Sequence, residues 1–84
     1  MKLSVRYFAS LREVLGAGEV LDGLPAGVTV GAVRDRLIAA SARHAEVLAR
    51  SRAVRCAVDK VMSAETQALH DGAELAFFPP VTGG

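Results

Sequence analysis

Apolar and polar residues alternate from Lys2 to Phe8. Leu3, Val5 and Tyr7 fall on one side of an extended chain, and Lys2, Ser4 and Arg6 on the other. This predicts a strand with one wetted face, on which Phe8 falls out of pattern. Ser10-Leu11-Arg12-Glu13 has the spacing of a capping box: the Ser10 hydroxyl accepts from the Glu13 amide, and the Glu13 carboxylate reaches back to the Ser10 amide. Leu11, Val14 and Leu15 share one face of the short helix that follows, and Gly16 stops it. Glu19 to Leu21 predicts a second short strand; Asp22-Gly23 and Pro25-Ala26-Gly27 punctuate the next loop. Thr29 is the expected N-cap of the main helix. Its buried stripe is Val30, Val33, Leu37 and Ile38, with Arg34, Asp35 and Arg36 mostly off it, and alanines carry it to about Ala42.

Residues His44 to Arg50 predict another short helix, with Val47 and Leu48 inward. Val54, Cys56 and Val58 alternate with Arg55 and Asp59 to give a third long strand, and Val61-Met62 adds a small edge strand. His70-Asp71-Gly72 is a turn signal. The last strand runs from about Ala73 to Phe78, with Leu75 and Phe77 on one face and Glu74, Ala76 and Phe78 on the other. One amphipathic helix against a small mixed sheet is an α+β arrangement. The first and last strands are strong enough to sit centrally. If they pair in parallel, Phe8 and Phe78 meet on the outer face at one end of the sheet, where they form an exposed apolar patch.

Composition limits the function classes. With 84 residues the chain buries only roughly 60–65% of its unfolded surface, yet half its residues are hydrophobic. Exposed apolar surface, and hence a partner site, follows. The net charge is +1 and the basic residues are scattered, apart from a loose cluster of Arg50, Arg52 and Arg55 that reads as a solvated loop or face. A nucleic-acid surface would be more basic and more aromatic. A single cysteine, no long apolar run and no signal-peptide pattern predict a cytoplasmic protein with no membrane segment.

No catalytic centre is legible. Gly16-Ala17-Gly18 continues as Glu19-Val20-Leu21 and is not a dinucleotide fingerprint. His44 and His70 stand near no second ligand at metal spacing, so both are expected to be solvated and no metal site is expected. Cys56 shares a strand face with Val54 and Val58, the setting of a buried apolar cysteine and not of a nucleophile.

The chemistry falls instead on Phe77-Phe78-Pro79-Pro80-Val81-Thr82-Gly83-Gly84. Frayed termini are usually polar, whereas this segment is uncharged and mostly apolar. Pro79-Pro80 cannot continue a strand ladder and hold the chain extended, so Pro79 to Gly84 could reach roughly 18 Å. Val81 and Thr82 offer side chains to grip, and Gly83 and Gly84 can thread a narrow channel. The expected division is a folded domain over residues 1–78 and a working tail over 79–84, with the carboxyl of Gly84 as its reactive group. A carboxylate is a poor electrophile; as an acyl-adenylate it gains a leaving group that a sulfur nucleophile can displace.

These residues resemble the small subunits of molybdopterin synthase, the MoaD-type sulfur carriers. The likeness covers essentially the whole chain. It includes Val5-Arg6-Tyr7-Phe8-Ala9-Ser10-Leu11-Arg12-Glu13, Thr29-Val30 and Asp71-Gly72, and is most specific in Glu74 to Gly84. The resemblance implies a ubiquitin-like β-grasp fold. It implies that an ATP-dependent activating enzyme of the ubiquitin-activating type adenylates Gly84, that a sulfur donor converts it to a thiocarboxylate, and that the tail enters the large synthase subunit. There the sulfur passes to cyclic pyranopterin monophosphate. It further implies a heterotetramer of two small and two large subunits, no cofactor bound by this chain, and no catalytic site on it apart from the Gly84 terminus. Phe8, Met62 and Phe78 would form the docking patch, with Arg12 a polar contact beside it. Family members tend to carry leucine at Met62 and asparagine at Asp59. The competing readings are a carrier for thiamine or tRNA thiolation, a ubiquitin-like modifier joined to lysines through Gly84, and a binding module whose diglycine is incidental.

Overall fold

The computed structural model describes residues 1–80. Its elements are β1 (Leu3–Tyr7), α1 (Ala9–Leu15), β2 (Gly18–Leu21), α2 (Val30–Ala40), α3 (Ala42–Leu48), β3 (Arg55–Val58), β4 (Val61–Ser63) and β5 (Glu74–Phe78). The strands form one mixed sheet in the order β2-β1-β5-β3-β4. As the sequence predicts, β1 and β5 are inner strands; they run parallel, with Val5 opposite Leu75 and Tyr7 opposite Phe77. The other pairings are antiparallel.

The alternation along β1 and β5 decides which face is covered. Leu3, Val5, Tyr7, Leu75 and Phe77 form one buried cluster with Val30, Val33 and Leu37 of α2, Leu11 of α1 and Leu48 of α3. All three helices therefore supply buried residues to the same core. The Tyr7 and Phe77 rings stack with centroids 6.4 Å apart and planes 19° from parallel. Full burial of side chains this size contributes about 1.5–3 kcal/mol each. Met1 closes the edge of this core: its ammonium donates to the Leu24 carbonyl at 2.8 Å, and Leu24 is itself buried.

The local signals are partly realised. Thr29 caps α2, its hydroxyl accepting from the Ala32 amide at 3.2 Å. Gly16 ends α1 with a φ of 88°, and its amide donates to Arg12 O. The capping box at Ser10 does not form. The Phe8 amide is still held by the Phe77 carbonyl of β5, and the Phe8 carbonyl accepts from the Leu11 and Arg12 amides. Phe8 is therefore the N-cap, with no side-chain cap bond, and Ser10 lies inside the first turn. The boundary between the two later helices also moves. Ser41 is extended (φ −161°, ψ 163°), so it ends α2 and caps α3 with its hydroxyl on the His44 amide.

Arg34 is the largest departure. It was expected off the buried stripe but is only 4% exposed. Val30, Val33, Arg34 and Leu37 are the buried positions of α2, an i, i+3, i+4, i+7 set with a guanidinium inside it. Arg34 Nε donates to Leu48 O at 2.8 Å, and Nη2 to Ala49 O at 2.8 Å and Arg52 O at 3.1 Å. Nη1 pairs with Glu65 Oε2 at 2.8 Å. One side chain thus satisfies the carbonyls at the end of α3 and in the loop that leads to β3. Arg50, read as part of a solvated cluster, bridges Asp35 at 2.8 Å and Glu65 beside it. Among the described residues no helix is long and apolar enough to cross a membrane.

Candidate functional site

The register places the out-of-pattern residues together on the sheet face opposite the core. Residues directly opposite on paired strands share a face. Arg6 lies opposite Ala76, Ala76 opposite Ala57, and Ala57 opposite Met62. Phe78 lies two residue pairs further along, and so on the same face, opposite Arg55. A cavity of about 380 Å³ opens on this face, lined by Arg6, Phe8, Ala57, Lys60, Glu74, Ala76 and Phe78. Phe8 is 40% exposed and Met62 58% exposed, both high for large apolar side chains.

Phe8 owes its position to the end of β1. Its amide still bonds to Phe77 O at 3.2 Å, so its side chain continues the outward set of Lys2, Ser4 and Arg6. Arg6 Cζ lies 5.9 Å from the centroid of the Phe8 ring, a cation–π contact. Arg6 also pairs with Glu74 Oε1 at 3.3 Å. Small residues at Ala57 and Ala76 leave the hollow between the two phenylalanines. The structure thus brings Phe8 and Phe78 together and puts Met62 on the same face. Arg12 is exposed on α1 and does not line the cavity. Pro79 and Pro80 follow β5, half-buried and outside any strand. Val81, Thr82, Gly83 and Gly84, on which the tail chemistry rests, lie outside the described residues.

The hairpin between β3 and β4 carries two residues that sequence reasoning passed over or saw in part. Asp59 and Lys60 form its two-residue loop, with φ of 49° and 69°. Positive φ at both positions marks the tight turn that matches strand twist, usually built from Asn-Gly. The Asp59 carboxylate holds the loop in place. Oδ1 accepts from the Glu74 amide at 3.0 Å, and Oδ2 pairs with His70 Nε2 at 2.6 Å. The Glu74 amide, and then His70, hold the Asp59 carboxyl below its usual range. The bond to Asp59, and then that to the Asp71 carbonyl, raise the His70 imidazole. His70 is exposed, as expected, but it is not isolated. The signal for Lys60 was its place as the second of two residues between Val58 and Val61.

A second polar cluster corrects the reading of His44. Glu19 Oε2 accepts from Tyr7 Oη at 2.7 Å and meets His44 Nε2 at 2.7 Å; His44 Nδ1 meets Ser41 Oγ at 2.7 Å. His44 is half-buried and lies edge-on to Tyr7, with ring centroids 6.4 Å apart. Burial pushes the Glu19 carboxyl up, but the bonds from His44 and Tyr7 outweigh it and hold it below the ordinary range. Burial, and then Glu19, push the Tyr7 phenol well above its ordinary value. The missed signal was Tyr7 itself: a buried phenol needs a hydrogen-bond partner. Cys56 behaves as expected. Its thiol donates to Ser63 O at 3.2 Å, and burial raises it, the opposite of a nucleophile's setting.

The chain is 40% identical to the molybdopterin synthase sulfur carrier subunit of Escherichia coli, over 98% of this chain and 99% of the relative. It is 34% identical to the protein of the same name from Haemophilus influenzae, with the same coverage. Among solved structures it is similar to SAMP1 from Haloferax volcanii, with a TM-score of 0.78 and 28% identity over the full length of both chains. That likeness bears out the β-grasp expectation. The ThiS family matches residues 5–84, the diglycine included, and with these relatives it shows that the chain belongs to the ThiS family, on the branch that resembles MoaD-type sulfur carriers.

Proposed function

We propose that this protein is the sulfur-carrier small subunit of a molybdopterin synthase, with Gly84 as the sulfur-bearing residue. The observation that carries the reading is the outer face. Phe8, Ala76 and Phe78 form an apolar hollow on the sheet at the base of a tail that ends in diglycine. An apolar face of this kind marks a protein partner, and a tail leaving its edge is delivered into that partner when the face docks.

The chemistry needs little from this chain. An activating enzyme uses ATP to adenylate the Gly84 carboxylate, with release of pyrophosphate. Hydrosulfide, delivered by a sulfur donor, adds to the acyl carbon and AMP leaves, which yields a thiocarboxylate. Docking through Phe8, Met62 and Phe78, with Arg12 beside them, carries Pro80 to Gly84 into the large subunit. There the terminal sulfur attacks a carbon of cyclic pyranopterin monophosphate and displaces an oxygen substituent, and water then hydrolyses the resulting thioester, leaving the sulfur on the pterin and a free carboxylate on Gly84. Gly83 and Gly84 bring no side chain to the reacting carbonyl, so the channel can be narrow and the carbonyl open to attack. On this reading the chain binds no cofactor, works in the cytoplasm and supplies no catalytic residue beyond its terminus. It joins two large subunits as one of two small ones.

Deleting Gly84 tests the role. The truncated protein should keep its melting temperature and its affinity for the large subunit while losing sulfur transfer. Unchanged transfer would sink the role. Fragmentation of the C-terminal peptide from protein purified from its own cells should show a sulfur-for-oxygen mass increase at Gly84. Lysine adducts through Gly84 with no such increase would establish the modifier reading in its place.

A further inference from the structure

We infer that Lys60 is a built electrostatic docking point, a cation held beside the apolar hollow to meet a carboxylate of the synthase large subunit. The surface that covers this face is then apolar at its centre and acidic beside Lys60. This rests on the docking reading above and adds the partner's charge to it.

Three features meet at Lys60. Its φ of 69° is one that glycine enters freely and a side chain enters at a cost. A glycine there would relax the loop, so the lysine stands against the local conformational preference. Strain of this kind concentrates at functional positions. The loop is also tied down on its far side, because Asp59 is fixed by the Glu74 amide and by His70. Lys60 is therefore presented from a defined backbone.

The third feature is charge. Lys60 lines the hollow, and among the described residues no carboxylate lies within ion-pair distance of its ammonium. Arg55, opposite Phe78 on the same face, is likewise without a carboxylate among the described residues. Arg6 differs, since Glu74 neutralises it. Two uncompensated cations beside one apolar hollow, on a chain of net charge +1, make this face locally positive. Complementary potential at the rim of an interface acts chiefly on the association rate and its salt dependence.

The test measures association of the full chain with purified large subunit from the same organism, from low to physiological ionic strength, where the Debye length falls to about 8 Å. Lys60→Glu exchanges an attraction for a repulsion and should slow association about tenfold at low salt, flattening the salt slope. Lys60→Gly should slow it less while leaving the melting temperature equal or higher, which separates loss of charge from loss of fold. Lys60→Arg should stay close to the parent. If Lys60→Glu and Lys60→Gly both keep the parent's rate and slope, the inference is overturned. Phe78→Asp keeps the two readings apart. If Phe78→Asp abolishes binding while Lys60→Glu is neutral, only the role of Lys60 fails. If Phe78→Asp binds like the parent, the docking face itself is wrong.

Discussion

Replacing Arg34 with alanine strips a donor from three carbonyls at once, of which only Ala49 O keeps another, the Arg52 amide at 2.8 Å. Leu48 O is buried, and Ala49 O and Arg52 O are partly so; all three accept from the guanidinium at 2.8–3.1 Å. Glu65 would lose its bond to Arg34 but keep Arg50, so its share of the cost is small. A buried acceptor left without a partner costs about 1–3 kcal/mol. Water can reach Ala49 O and Arg52 O more readily than Leu48 O. The sum over Leu48 O and Arg52 O is then about 2–4 kcal/mol. A domain of this size has about 4–12 kcal/mol in all. With about 4–8 °C per kcal/mol, Arg34→Ala should melt at least ~8 °C below the parent in differential scanning calorimetry. Arg34→Lys keeps the charge but reaches fewer acceptors, so it should fall between the two. At temperatures where Arg34→Ala remains folded, affinity for the large subunit should change little, because the docking face is on the other side of the sheet. A melting temperature within ~3 °C of the parent would refute the claim that Arg34 ties α2 to α3 and the loop before β3.

Three further outcomes are expected. Phe78→Asp places a charge in the apolar hollow and should weaken binding to the large subunit by at least about 2 kcal/mol, or ~30-fold, in calorimetric titration. Gly18→Ala should destabilise the β1–β2 edge, because a Cβ there runs into the Val5 carbonyl oxygen; faster amide exchange in β2 with a lower melting temperature is the sign. The His70–Asp59 pair should be pH-dependent in both directions. The raised His70 gives stability that is full below about pH 6.5 and lost as pH climbs through its folded value. The lowered Asp59 gives stability that is present above about pH 4 and lost as pH falls through its folded value. The His70 ring protons should titrate above 6.5 by NMR and return toward it in Asp59→Asn.

Much of this fold was legible because its strongest patterns are local. The period-two alternation of Leu3, Val5 and Tyr7 and of Leu75 and Phe77 fixed which faces are buried, and both sets are buried. Thr29 and Gly16 did what their chemistry predicts. The failures share a cause. Ser10-Leu11-Arg12-Glu13 carries a valid local capping pattern, but Phe8 is held by a β5 carbonyl 69 positions further along the chain. That long-range bond starts the helix earlier and leaves the box unused. Arg34 occupied a position that helical periodicity marks as buried, and its charge argued the other way. What decided the matter was a set of carbonyls brought by α3 and its loop, which periodicity within α2 cannot supply. His44 was misread for the same reason, since Glu19 reaches it through the packing of β2 beside α3.

The candidate site was more legible than the polar core, and the reason is physical. A docking face is a failure of burial, and failures of burial appear in the sequence as apolar residues on the wrong side of a strand. Phe8 and Phe78 stood out because the rest of each strand obeyed its alternation. Electrostatic parts of the site leave no such trace. Lys60 looks like any surface lysine until the hairpin puts it in a left-handed conformation beside the hollow. The sheet therefore separates two kinds of residue. On the helix side, Arg34, Glu19 and His44 satisfy polar groups that folding buries, and their loss should be read as unfolding. On the open side, Phe8, Lys60, Met62 and Phe78 are exposed or only half-buried, so folding alone does not account for them; their loss should be read in binding. A substitution that moved both readouts together would show that the two faces are coupled through β5, the strand that carries Phe77 into the core and Phe78 out of it.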